Sequence, residues 1–247
     1  SLTPLEPLYV STVDSGNLAG CLLVLEQGCL EVARAPVLRD ETWAGLRDTL
    51  VLFEETLDQL RVPREGVGQA VHEIAGKLRA TITAAEVSGS SYELITRLTG
   101  EELPLLDRAL LTWIESGSYQ HDTLVLHSLR AWLDAFHRQA RDMKRQLDSL
   151  LPWLALEHAE GALEEAEWKA LGLSPALRLV DIPSACDAAA ATLSASSPLP
   201  SATSNPREEW LGKMQVALKN AASNARRLHE ELLTLAKRAD AEGQKMD

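Results

Sequence analysis

The sequence is poor in aromatic residues (4%, with two Phe and three Tyr), has only three cysteines, and contains no long apolar run despite being 45% hydrophobic. Its longest apolar stretches, such as Cys21–Leu25, fall far short of the ~20 residues that cross a bilayer, so direct membrane insertion by this segment is not expected. No basic region followed by an apolar stretch and a small-residue cleavage site opens the chain, and no secretion signal is expected. Basic residues are also in deficit, with 24 Lys and Arg against 36 Asp and Glu and a formal charge of −12. An acidic surface repels phosphate backbones, and no basic stripe with interleaved aromatics is present, so nucleic acid is excluded as an expected partner and anionic membranes are disfavoured. Cys21 and Cys29 lie on one predicted helix about 12 Å apart along its axis, too far for a disulfide. With Cys186 they read as buried free thiols of a reducing compartment.

Recognisable catalytic patterns are missing too. There is no Gly-x-Ser-x-Gly elbow, no Cys-His constellation and no phosphate loop. His121 and His127, or His158 beside Glu160, do not match a metal-ligand spacing such as His-Glu-x-x-His, and no metal site is expected. Acidic doublets occur at Glu54/Glu55, Glu101/Glu102, Glu164/Glu165 and Glu230/Glu231. Neighbouring helix positions point about 100° apart, so a doublet cannot converge on one atom as a catalytic acid and base must, and these pairs read as solvated faces. Of the six tryptophans, Trp43, Trp113 and Trp132 fall on or beside packing stripes and read as core.

What the sequence does contain is helical periodicity. Apolar residues recur at spacings of three and four through most of the 247 residues, strand alternation is nearly absent, and the expected fold class is all-α. A first helix over about 14–34 carries the stripe Leu18, Leu22, Leu25, Cys29, Val32, with Pro36 beyond its end. Asp40 opens a second with Trp43, Leu46, Leu50, Phe53, Leu57 and Leu60. Pro63 is placed in the first turn of a third, with Val67, Val71, Ile74, Leu78 and Ile82. The segment 88–91 breaks the pattern before a short helix through Tyr92, Ile95 and Leu98. Thr99 and Glu102 then form a capping box for a helix with Leu103, Leu106, Leu110 and Trp113. Two longer series keep a strict heptad rule: Leu126, Leu129, Leu133, Phe136, Ala140, Met143, Leu147, Leu150; and Leu211, Met214, Leu218, Ala221, Ala225, Leu228, Leu232, Leu235, Ala239. Short helices are expected around 162–171 and from Asp181-Ile182-Pro183 to Leu193, and 194–206 is a flexible linker by composition. The economical arrangement is a single helical region over 1–247, an antiparallel bundle in which the two heptad helices pack on each other. Pairing of the heptad faces between chains is the competing outcome.

The opening segment is unusual because Ser11, Thr12, Asp14, Ser15, Gly16 and Asn17 precede an almost wholly apolar helix. Hydroxyls at 11–12 can cap orphan amides, and Asp14 complements the positive helix end by about 0.3–1 kcal/mol. Ser15, Gly16 and Asn17 add donors and clear space at the same end, as a docked polar ligand would require. The residues alone leave capping and ligand binding both open.

"PLYVSTVDSGNLAGCLLVLEQG", Pro7 to Gly28, resembles a signature of the cyclic β-1,2-glucan synthases, very large bacterial inner-membrane enzymes. In that family the stretch follows a Trp-Tyr-Asp-Thr-Arg segment, and the closing "RADAEGQKMD", 238–247, is similar to the lead-in to a glucoamylase-like region. The resemblance implies an internal piece of a multidomain enzyme that uses UDP-glucose in a membrane-embedded glycosyltransferase module, cyclises β-1,2-glucan and trims chains. This segment itself would need no cofactor and would sit on the cytoplasmic side of the inner membrane within its anchored parent. Its partners would be β-1,2-glucan and the parent's other modules. The bundle would form part of an (α/α)6 toroid, whose inner helices start at the rim of a sugar cleft. Ser11, Thr12, Asp14, Ser15 and Asn17 would then face glucan. Catalytic carboxylates are expected outside the segment, so no catalytic residue is assigned. Cys21 stands where many relatives would carry His.

Overall fold

The computed structural model describes residues 12–88, 91–117, 123–157, 159, 162–195 and 206–244. Among them the three- and four-residue periodicity prevails and no strand forms; a single extended contact, Pro36 opposite Arg178, is the nearest approach to one. The helices are α1 (Thr12–Arg34), α2 (Asp40–Gln59), α3 (Gly66–Ser88), α4 (Ser91–Arg97), α5 (Leu103–Glu115), α6 (Thr123–Leu150), α7 (Glu165–Ala170), α8 (Ile182–Ala195) and α9 (Pro206–Gly243). They pack as an all-α bundle. Positions 194–195 close α8 and Pro206 opens α9; the remainder of the expected linker lies outside the described residues, as do His121, His158 and Glu160.

The core follows the stripes of α2, α3, α5 and α6. Trp43, Leu46, Leu50, Phe53 and Leu57 of α2 are all buried, as are Leu129, Phe136, Ala140, Met143, Leu147 and Leu150 of α6. Each fully buried Leu or Phe contributes about 1.5–3 kcal/mol of apolar transfer, so one such helix face far outweighs its intrinsic propensity. Trp113, Trp153 and Trp210 join this core, and the Trp210 indole N–H donates to Leu156 O at 2.8 Å.

Two local expectations are corrected. Pro63 lies in the connection before α3, which begins at Gly66 with φ +56°; Val67 is exposed. The end of α2 explains this. Arg61 takes φ 51°, Val62 N–H bonds to Leu57 O and Arg61 N–H to Asp58 O, the paired bonds of a Schellman motif, with Val62 and Leu57 both buried. The turn leaves Pro63 O so near α3 that a Cβ on Gly68 would stand 2.1 Å from it. Second, no capping box forms at Thr99 and Glu102. The chain runs from α4 into α5 through a π-helical turn, Leu98–Glu102, and the Thr99 hydroxyl bonds backward to Ile95 O at 2.7 Å. The short helix expected around 162–171 forms as α7, with a capping box between Glu164 and Glu167.

The two heptad helices meet, with Asn224 Nδ2 donating to Ser149 O at 3.1 Å, but neither is the other's main partner. α6 lies chiefly on α2, and α9 chiefly on α1 and α8. Arg226 pairs with Asp187 at 2.7 Å, tying α8 to α9. If these two were parallel, the chain would need about 42 Å to return from the end of α8 to Pro206, more than the ~36–40 Å its eleven or so residue steps can span. They are therefore antiparallel. Leu179 N–H bonds to Ala35 O and Val37 N–H to Leu177 O, which pins the end of α1 beside the start of α8. From there α1 runs back along the C-terminal part of α9.

That α1–α9 contact is long but buries few side chains. Its buried members, Cys29, Ala33, Ala236 and Ala239, stand apart from the contiguous core. The stripe expected for α1 is rotated: Cys29 is buried, whereas Leu18, Leu25 and Val32 are exposed. On α9 Ala236 is buried in place of Leu235, which is exposed, while Ala239 keeps its place in the heptad series.

Candidate functional site

The polar opening segment lies at the start of α1. Thr12 begins the helix, and Asp14 and Ser15 follow in its first turn, where the structure describes the backbone. Ser11 lies outside the described residues. Gly16 and Asn17 are both exposed, and a Cβ on Gly16 or Gly20 would meet nothing within 4 Å. The first turn of any helix carries amide N–H groups without intrahelical acceptors. An exposed carboxamide beside them provides donors and an acceptor of the kind that hydroxyl-rich ligands use. Immediately beyond, the run Leu18–Leu25 is covered only on its α9 side: Leu18 is 48% exposed, Leu23 59% and Val24 72%. Cys21 is exposed, correcting the expectation of three buried thiols; Cys29 and Cys186 are buried. Burial, and then the neighbouring Asp187 charge, pushes the Cys186 thiol up to about 12.

A second polar constellation surrounds the π-helical turn. Glu102 is buried at 9% exposure, so this member of an acidic doublet is not on a solvated face. Its Oε1 accepts from Thr81 Oγ1 at 2.8 Å and from Arg97 Nε at 3.1 Å, while Oε2 is buried without a protein partner. Glu54 is also drawn inward and pairs with Arg79 of α3, whereas Glu55 stays exposed. The divergence of adjacent helix positions thus holds, although the solvated reading of every doublet does not.

On the other side of the π turn, Arg138, Arg141, Lys144 and Arg145 of α6 line a groove of about 470 Å³ with Thr99 and Asp142. Lys144 Nζ donates to Asp148 at 2.5 Å and to Tyr92 Oη at 3.2 Å, and lies 4.7 Å from the Tyr92 ring centroid. Burial lowers the pKa of this ammonium, but the bonds to Asp148 and Tyr92 outweigh it and hold it above the ordinary lysine value. His137 Nε2 meets Asp107 Oδ1 at 2.8 Å, and Arg141 Nη2 approaches His137 Nδ1 at 3.5 Å. Sequence reading missed this cluster because α6 was read for its heptad seam. The signal was present in the spacing of 138, 141 and 145, which lie on one helix face. A separate cleft between α5 and α6, of about 550 Å³, has Leu111, Ile114, Leu126 and Leu133 in its walls and Asp107, Arg130 and Asp134 at its polar edges. Among the described residues no three His, Cys, Asp or Glu side chains group as metal ligands, and no helix is long and apolar enough to cross a membrane.

The chain is similar in part to a cyclic glucan synthase. Cyclic beta-(1,2)-glucan synthase NdvB of Rhizobium meliloti (strain 1021) is 42% identical to it over 67 residues, 27% of this chain and 2% of that protein. The matched stretch is therefore a small part of the relative's length. No family model and no solved structure matches. Similarity to NdvB over such a stretch supports a relation between the two chains and gives no side chain a role.

Proposed function

We propose that this chain is a helical segment of an enzyme of the cyclic β-1,2-glucan synthase type, a glucosyltransferase and transglycosylase, in which it is structural or glucan-contacting and not catalytic alone. The observation that carries the reading is the partial identity with NdvB. Gly16 and Asn17, open to solvent in α1, support a reading in which Ser11, Thr12, Asp14, Ser15 and Asn17 contact glucan. Sugar hydroxyls both donate and accept, which an exposed carboxamide complements. The parent would take UDP-glucose in another module and hold this segment on the cytoplasmic side of a bacterial inner membrane.

Titration with β-1,2-glucan tests the reading. Amide shift changes confined to residues 11–18, and weakened at least severalfold by Asn17→Ala, are the expected result. Absence of any response sinks the glucan contact, and cleavage of β-1,2-glucan by this chain alone would establish a stand-alone glycosidase instead.

A second reading rests on a different observation. The uncovered apolar run of α1 is what a helix shows when more than one of its faces packs in the intact assembly. An interaction module of this kind would associate through that face with other modules of the parent or another chain. Concentration-dependent association without a sugar response favours it.

A further inference from the structure

We propose that the groove between the π-helical turn and α6 binds a compact, phosphoryl-bearing polyanion. Its lining brings Arg138, Arg141, Lys144 and Arg145 together with a single carboxylate, Asp142, which is engaged by Arg145. In a chain where 36 acidic residues outnumber 24 basic ones, carboxylate partners are abundant. Even so, among the described residues no carboxylate lies within ion-pair distance of Arg138 or Arg141. Lys144 and Arg145 are offset by Asp148 and Asp142, which leaves the Arg138 and Arg141 charges, one helical turn apart, to repel each other.

Two of the four are held in place. Lys144 is fixed by Asp148 and Tyr92, and Arg141 stands against His137, whose other ring nitrogen meets Asp107. Arg141 is thus positioned beside an imidazole, with Asp107 on the ring's far side, and not against a carboxylate. Thr99 forms a wall; its hydroxyl donates to Ile95 O and makes no demand on a ligand's oxygens. The groove is open to solvent, but its volume falls in the range of small-molecule clefts, which suits a small solute better than a broad membrane surface. Planar guanidinium forks match phosphoryl oxygens two at a time, giving phosphoryl groups the advantage over a simple anion.

The test is calorimetric titration of the full chain with inorganic pyrophosphate in low salt, alongside citrate and vesicles containing phosphatidylserine. Saturable one-to-one pyrophosphate binding is expected, weakened at least about tenfold in Arg138→Gln/Arg141→Gln and unchanged in Arg64→Gln, which lies outside the groove. The double variant should melt no lower than the parent chain without ligand, since it removes repulsion, and this checks that it folds. Binding that survives the double variant would mean an adventitious ion only and overturns the proposal. So would citrate binding as tightly as pyrophosphate, a preference for the vesicles, or no saturation at millimolar pyrophosphate.

Discussion

Thr81 donates its hydroxyl to Glu102 at 2.8 Å inside the bundle, and the Arg97 guanidinium reaches both the same carboxylate oxygen and Thr81 Oγ1, at 3.1 and 2.9 Å. The three side chains come from α3, α4 and the π-helical turn, so they tie the α4–α5 connection to α3. Their closure requires Glu102 to point inward, which a regular helix cap at Thr99 would prevent.

Thr81→Val keeps the shape and removes the donor, leaving a buried carboxylate short of one partner. A loss of about 1–3 kcal/mol in urea unfolding is expected. A loss no larger than that of an exposed control such as Thr83→Val would show that the bond contributes nothing net.

Gly68 and Gly76, both in α3, should respond oppositely to alanine. Gly76→Ala meets nothing within 4 Å and should stabilise by about 0.5–1 kcal/mol through helix propensity. Gly68→Ala must move Pro63 O, 2.1 Å from the new Cβ, and should destabilise despite the same propensity gain. Equal effects of the two would contradict the geometry of the α2–α3 turn.

The α1–α9 contact, which buries only small side chains apart from the contiguous core, should open before that core does. In hydrogen exchange, amides of α1 should be less protected than those of α6, and Ala236→Glu should erase α1 protection while leaving that of α6 in place. Val24→Lys, on the uncovered face, should shift stability by no more than about 0.5 kcal/mol.

Thiol chemistry should separate the cysteines. Exposed Cys21 should react rapidly with a disulfide reagent in the folded chain, and buried Cys29 and Cys186 only after unfolding. The Cys186 pKa is raised from 9.0 to about 12 in the fold, so above pH 9 the unfolded chain gives up this proton before the native chain does. Its contribution is complete below pH 9 and is lost as pH rises towards 12. Cys186→Ala should therefore flatten the alkaline fall in stability, measured by thermal melts across that window, and an unchanged slope would count against the buried neutral thiol.

Helix existence was legible along most of the chain because apolar spacing is a local property: α2 buries every residue that its stripe names, and α6 all of its series but Leu126 and Leu133, which are half-buried. Break points such as 88–91 and the stop after Glu115 were legible for the same reason, since the turn residues stand in the sequence itself. Which face of α1 packs was not, because Leu18 to Leu25 is apolar on every side and only the position of α9 selects Cys29 and Ala33 for burial. The inward turn of Glu102 and the placing of Thr99 opposite the basic face of α6 were likewise decided by tertiary structure. The energy of a buried or clustered charge depends on partners distant in the chain, and those partners exist only once the helices have packed.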